Sequence, residues 1–253
     1  MNHPFIAEEI RANGQGFLPG LAIDCVIFGF HQNQLKILLL EYRNTGLFAL
    51  PGGFVREDED VNDAARRALV ERTGLQDIYL EQFYLFGDQS RHNPAPLRAI
   101  MTAKGIEPAD SHWLLRRFVT VGYYALVDFT KAVPKADALA DSCDWYDLTH
   151  LPVLMLDHKT IVQKALETLR VNLDQRQMGL RHLATPLLPE TFTMGELQNL
   201  YETILGQKLR RTSFQRKMLS LGILERLDKK YSGGAHKAPY LYRFAENAIG
   251  SQN

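Results

Sequence analysis

Two groups of side chains in this 253-residue chain have the types and spacing to do chemistry. The first lies in "LPGGFVREDEDVNDAARRALVERTGL", residues 50–75. A glycine pair leads into the acids Glu57, Asp58, Glu59 and Asp60, and then come Arg67, Glu71 and Arg72. Carboxylates gather hard cations, and guanidinium groups hold phosphate oxygens in pairs. The second group lies near the end of the chain. Arg211, Thr212, Ser213, Gln215, Arg216 and Lys217 share one short run, and Lys229, Lys230, His236 and Lys237 flank a glycine-containing stretch. Arginine and glutamine suit base edges, while lysines and hydroxyls suit phosphates, so this set points to double-stranded nucleic acid. A solvated basic surface is the plain alternative.

Each group needs an element to position it. In the first, the acids suit a helix N-terminus, Val61, Ala64, Ala65, Ala68 and Leu69 mark an apolar side, and Gly74 stands where a C-terminal cap belongs. A capped amphipathic helix with an arginine on its polar face would give the same spacing. Strands are expected around it. "LAIDCVIFGF" and "LKILLLEYR" flank the polar turn "HQNQ", and "LFALPGGFV", "IYLEQFYLF" and "RFVTVGYYALVDF" follow. Residues 88–115, with Pro94, Pro96, Gly105 and Pro108, are too long for a hairpin loop and read as an ordered excursion or a flap. "LDHKTIVQKALETLRVNL" reads as a helix with Asp157 as N-cap and Ile161, Ala165, Leu166 and Leu169 on one face. It closes an α+β domain of about 150 residues, an ordinary domain size.

The second group sits in a different rhythm. After a short helix expected near residues 175–184, "PLLPE" breaks the pattern. "FTMGELQNLYETILG" then predicts a helix with a Thr193–Glu196 capping box and a Phe192–Leu197 staple. Leu197, Leu200, Tyr201, Ile204 and Leu205 form its buried stripe. Past the turn "GQKLRR", "RRTSFQRKMLSLGIL" predicts a second helix with Phe214, Met218 and Leu221 inward. "ILERLD" and "YLYRF" would be strands around the basic tip "KKYSGGAHKAP". Helix, turn, polar-faced helix and basic hairpin is the order of a winged helix-turn-helix, whose second helix enters the major groove.

Composition agrees. A hydrophobic fraction of 45% and a charged fraction of 23% fit a globular protein. No apolar run reaches the roughly eighteen residues of a membrane span, and the N-terminus does not resemble a secretory signal, so a cytoplasmic protein is expected. Cys25 and Cys143 alone make neither a disulfide framework nor a zinc site. The formal charge is zero, yet 10 of the 29 Lys+Arg and only 4 of the 29 Asp+Glu follow residue 200. That imbalance predicts an anionic partner for the C-terminal end.

Residues 53–75 resemble the Nudix box, G-x5-E-x7-R-E-U-x-E-E-x-G-U with U aliphatic, through Gly53, Glu59, Arg67, Leu69, Glu71, Gly74 and Leu75. The resemblance implies that Gly53, Glu59, Arg67 and Gly74 are structural, with Glu59 and Arg67 tying loop to helix. It also exposes two departures, Ala68 and Arg72, where the pattern has glutamates. Positions 68, 71 and 72 are i, i+3 and i+4, one helical face, on which a working hydrolase clusters carboxylates around magnesium or manganese. With one glutamate left beside a guanidinium, catalysis by this helix is not expected, and neither is a metal or other cofactor. Together with the winged helix, the whole chain resembles the Nudix-related transcriptional regulators of the NrtR type. "LPGGFVRE", "VGYYALV", "LDHKTIVQKALETLR" and "GGAHKAPYLYRF" also carry this likeness.

The resemblance implies a homodimeric repressor that senses ADP-ribose or a related NAD metabolite in the pocket and holds operator DNA with its winged helices. A sugar or pentose is the alternative ligand, since some branches serve sugar utilisation. The fold expected is α+β: a Nudix-like α/β/α sandwich with a mixed sheet, followed by a C-terminal winged helix-turn-helix. Its expected divisions are residues 1–155 for sensing, 156–174 as a connecting helix and 175–253 for DNA. Candidate ligand residues are Arg43, Arg56, Glu71, Arg72 and Tyr123. His158 reads as a helix-start residue, His92 and His112 lack metal-like spacing, and Trp113 and Trp145 read as packing. Two competing functions stay open. An active hydrolase of a nucleoside diphosphate derivative would need ligands such as Glu57, Asp58 or Asp60, and a protein-interaction module would use the wing surface without binding DNA.

Overall fold

Apolar residues on both faces of the first strands demand cover on both sides of a sheet. In the computed structural model, which describes residues 14–76, 78–137, 139–175, 184–230 and 238–245, that cover is one helix per face. Strands β1 (Phe17–His31) and β2 (Gln34–Tyr42) close on Gln32 and Asn33, at φ 50° and 60°. Two positive φ values in a two-residue turn match the twist of paired strands. Further strands are β3 (Leu47–Ala49), β4 (Gly52–Arg56), β5 (Tyr79–Phe86), β6 (Val119–Val127) and β7 (Ser142–Asp147). Their order is β3-β2-β1-β6-β5, with β4 also on β1 and β7 on β2. Only β1 and β6 run parallel, so the seven-stranded sheet is mixed.

Helix α1 (Val61–Thr73) covers Ile23, Cys25 and Ile27 with Ala64, Ala65, Ala68 and Leu69. Helix α3 (His158–Gln175) covers Val26 and Phe28 on the other face with Ile161, Ala165 and Leu169. This is the expected α/β/α sandwich. Residues 88–115 are ordered: they contain α2 (Ala95–Ala103) and two 3-10 turns, Gln89–Arg91 and Trp113–Leu115. Trp113 stacks on Phe17 at 5.7 Å between ring centroids and meets Phe54 edge-on at 4.7 Å. An excursion pinned in this way forms part of the wall, as an ordered excursion would. Trp145 packs against Phe129 at 5.1 Å.

The C-terminal portion contains α4 (Met194–Leu205), α5 (Arg211–Ser220) and a three-stranded sheet. Its strands are β8 (Phe192–Thr193), β9 (Leu224–Lys229) and β10 (Tyr240–Phe244), ordered β8-β10-β9. The capping box is present in both directions: Thr193 accepts from the Glu196 N–H, and Glu196 accepts from the Thr193 N–H. Such caps contribute about 0.5–2 kcal/mol. The helix expected near 175–184 falls mostly in residues 176–183, outside the described residues. The two halves share one core, in which Ile161, Leu169 and Leu173 of α3 join Leu197, Leu200 and Phe214. The tip of the β1–β2 hairpin also touches α4, since Asn33 accepts from the Asn199 amide at 3.3 Å and from the Thr203 hydroxyl at 3.2 Å. Among the described residues no helix is long and apolar enough to cross a membrane.

Candidate ligand cleft and nucleic-acid interface

Gly52 lets β4 approach β1 so closely that a Cβ there would stand 2.3 Å from the Ile23 carbonyl oxygen. Only glycine accommodates that approach, and the chain beyond it forms one rim of a cleft of about 660 Å³. That volume suits a nucleotide-sized molecule. Gly53, Phe54 and Arg56 line the cleft from β4, and Arg67, Val70, Glu71 and Arg72 from α1. The excursion supplies Arg91, His92 and Leu97, the link from it to β6 supplies Arg116 and Phe118, and Lys135 and Asp137 come from the loop after β6.

The box holds its shape through one ion pair. Arg67 Nε and a terminal nitrogen donate to the two Glu59 oxygens at 3.0 and 2.6 Å, and the same terminal nitrogen donates to the Phe54 carbonyl at 3.0 Å. The Arg56 N–H adds a bond to Glu59 at 2.9 Å. Burial alone would raise the Glu59 carboxyl, but Arg67 and the Arg56 N–H outweigh it and hold the group below its usual range. Gly74 ends α1 at φ 70°, donating to the Val70 carbonyl.

The face that would gather a cation is built differently. Ala68 is buried against the sheet, and Arg72 is 7% exposed. Glu71, the remaining carboxylate, lies 3.7 Å from an Arg67 nitrogen and 3.6 Å from an Arg72 nitrogen. A magnesium ion demands several oxygens in octahedral array. One carboxylate already shared by two guanidinium groups does not fit that requirement, and among the described residues no group of three His, Cys, Asp or Glu fits a metal ion.

Deeper in the cleft lies a buried charge cluster that sequence reasoning missed. Arg91 donates to both Asp157 oxygens at 3.0 and 3.1 Å and to the Phe118 carbonyl at 2.9 Å. It also lies 3.6 Å from Asp24 of β1. His158 accepts the Leu50 N–H on Nδ1 at 2.9 Å and turns Nε2 toward Asp24 at 3.7 Å. Asp157 is therefore an N-cap by backbone only. Its carbonyl accepts from the Ile161 N–H, but its side chain is drawn away by Arg91, a threefold donor that no local sequence signal announces. His158 is the helix-start residue expected, and it also lines the cleft.

Of the ligand residues expected from sequence, Arg56, Glu71 and Arg72 meet at the cleft. Arg43 and Tyr123 do not line it. Arg43 sits exposed after β2, with its N–H bonded to Asp141 at 2.9 Å. Tyr123 is a core aromatic under α1, donating to Asn62 at 2.7 Å, and burial raises its hydroxyl pKa. Arg43 was chosen for its nearness to the glycine turn in sequence and Tyr123 for the nearness of its strand to the 88–115 segment, and neither kind of nearness carries a side chain into the cleft. Both cysteines are buried thiols whose pKa burial raises, Cys143 to about 12, which leaves them unreactive.

The second site is built on α4 and α5. Glu202 fixes the turn between them, accepting from Lys208 at 2.7 Å, from the Leu209 N–H at 3.0 Å and from Gln198 at 2.8 Å. The Lys208 bond first, then these others, bring the Glu202 carboxyl down to about 2. Phe214 and Met218 anchor α5, while Arg211, Thr212, Ser213, Arg216 and Lys217 are exposed and Gln215 is half-buried. On the wing, Lys229 lies 5.4 Å from the Tyr240 ring centroid, and Lys230 lies 3.4 Å from Glu196. His236 and Lys237 lie outside the described residues.

Comparison with known proteins covers both portions of the chain. Residues 18–168 match the NUDIX domain model, and residues 184–244 match the NrtR DNA-binding winged helix domain. The ADPR responsive transcriptional repressor NtrR of Acinetobacter baylyi is 35% identical over 234 residues, covering 90% of this chain and 82% of that protein. The chain belongs to the NrtR-type family of Nudix regulators. Shewanella oneidensis NrtR, crystallised with a 27mer DNA, is similar at TM-score 0.67 and 27% identity, over 90% of this chain and 94% of that one. An ADP-ribose pyrophosphatase of Methanocaldococcus jannaschii is 26% identical over 148 residues, 57% of this chain and 72% of that enzyme. That enzyme's likeness is confined to a stretch no longer than the NUDIX portion, whereas the NrtR-type relatives match across both domains.

Proposed function

We propose that this chain is an ADP-ribose-responsive transcriptional repressor that binds operator DNA as a homodimer. The observation that carries the reading is one chain holding two sites. One is a nucleotide-sized cleft where arginine replaces a cation-binding carboxylate, and the other is a winged helix whose α5 exposes Arg211, Arg216 and Lys217. The relatives named above bind DNA and respond to ADP-ribose by their own descriptions. The charges of Arg56, Arg72, Arg116 and Lys135 around the cleft favour a phosphate-bearing ligand over a neutral pentose.

In this reading α5 enters the major groove, with Thr212, Ser213, Gln215, Arg216 and Lys217 toward the DNA and Lys229 and Lys230 along the backbone. Two copies give two half-sites. Residues 1–155 sense, residues 156–174 connect and residues 175–253 bind DNA. Helix α3 supports such a connection. Its first residue, His158, lines the cleft, and farther along it Arg170 donates to the Ile204 carbonyl of α4 at 2.7 Å. Eighteen helical residues span about 27 Å at 1.5 Å each. A ligand that binds better when α3 stands in a DNA-incompetent position releases the operator, by linkage.

Fluorescence anisotropy with DNA fragments selected by the protein, titrated with ADP-ribose, tests this directly. Salt-sensitive binding reversed by ADP-ribose is the expected result. Duplex binding that ignores ADP-ribose rejects the sensor, and turnover of ADP-ribose stimulated by magnesium would replace it with a hydrolase.

A further inference from the structure

We propose that the cleft holds the diphosphate of its ligand without a divalent cation, the Arg72 guanidinium standing where a hydrolase of this family gathers one. The inference rests on the ADP-ribose reading and specifies how that ligand is held. Its starting point is a misfit between a side chain and its surroundings. The Arg72 side chain is 9% exposed, yet its bonds are poor. One terminal nitrogen reaches the Lys135 carbonyl at 3.4 Å, the other lies 3.6 Å from Glu71, and Nε has no partner. A guanidinium carries five N–H donors, and burying it so incompletely bonded is unfavourable unless an anion completes the set.

A role at the end of α1 does not explain this arrangement. An arginine in a last turn complements the helix dipole equally well from the surface. Burial in the wall of a cleft is the part that calls for a ligand. A neighbouring cation adds to the charge. Lys135, whose N–H bonds the Arg72 carbonyl at 3.0 Å, brings a second cation to the same end of the cleft. Glu71 is already shared by Arg67 and Arg72, and Ala68 offers no oxygen. A divalent ion placed here would meet guanidinium charge within a few ångströms and find one shared carboxylate on α1, while Asp137, which also lines the cleft, already accepts from the Leu139 and Ala140 N–H groups. A diphosphate meets the opposite: fixed, partly desolvated cations suited to paired oxygen contacts.

The test is calorimetric titration of the full chain with ADP-ribose, once in EDTA and once in excess magnesium. Affinity should agree within about twofold, since no cation is part of the site. Arg72→Gln should weaken ADP-ribose about tenfold or more in EDTA, and Arg72→Lys should restore part of the loss by returning the charge without the fork. Circular dichroism of both variants checks folding, and if Arg72→Gln does not fold, the wild-type comparison and Arg72→Lys still decide. Binding that requires magnesium, or unaltered affinity in folded Arg72→Gln, overturns the proposal while leaving an ADP-ribose sensor in place. No binding in either buffer overturns both.

Discussion

Replacing Arg91 by alanine should be among the most damaging single changes in the sensing half. The arginine arrives from the excursion, is 8% exposed, and answers two carboxylates on two other elements, Asp24 of β1 and Asp157 at the head of α3. Its removal cuts two bonds to Asp157 and one to the Phe118 carbonyl, and leaves two acids of low exposure without their cation. Breaking a buried pair from one side costs about 3–5 kcal/mol. At roughly 2–4 °C per kcal/mol for a chain of this size, the midpoint of thermal unfolding should fall by about 6–20 °C. Asp157→Ala should cost less, because Arg91 keeps Asp24 and the carbonyl. In the double variant the losses should fall short of their sum by about 0.5–3 kcal/mol, the coupling expected of groups in direct contact. Urea unfolding of the four proteins measures the cycle. Strict additivity, or a loss below about 1 kcal/mol for Arg91→Ala, would refute the view that this cluster locks α3 to the cleft.

On the DNA side, Arg216→Ala should weaken operator binding by about 1–3 kcal/mol and lower the salt slope, whereas Lys230→Ala should do less, because Glu196 already answers that lysine. Equal losses in anisotropy titrations would contradict this order. Glu59 has a lowered folded pKa, so its contribution is complete above the ordinary glutamate range and is lost as pH falls through the lowered value. Glu59→Gln should therefore flatten the acid limb of a stability–pH curve, and an unchanged limb would count against the Glu59–Arg67 pair. Gly52→Ala forces the β1–β4 pairing apart at a 2.3 Å contact and should cost about 1–3 kcal/mol in chemical unfolding, with wild-type stability as the contrary result.

The C-terminal fold was legible because its signals are local. A Thr193–Glu196 box, a stripe of Leu197, Leu200, Tyr201 and Ile204, and a turn before Arg211 lie within a few turns of chain, and each appears as read, with Leu205, the last of the expected stripe, only half-buried. The glycine turn, the Glu59–Arg67 pair and the Gly74 cap were legible for the same reason. The cleft was less so. Arg43 is near the box in sequence but outside the cleft, and Tyr123 points beneath α1 because alternation along β6 puts it on that face.

By itself, then, the sequence determined the two domain types, most of their elements in order and the loss of a cation-gathering face, since all three are written in spacings of one to eight residues; α2 and β7 were not read from it. The tertiary structure alone decided that Arg91, Asp24 and Asp157 meet, 66 residues apart for the bonded pair. It also decided that Arg72 is buried rather than solvated and that α3 runs from the cleft to α4. Such facts depend on which strands pair and which faces are covered, and side chains far apart along the chain leave no periodicity for a reader to find.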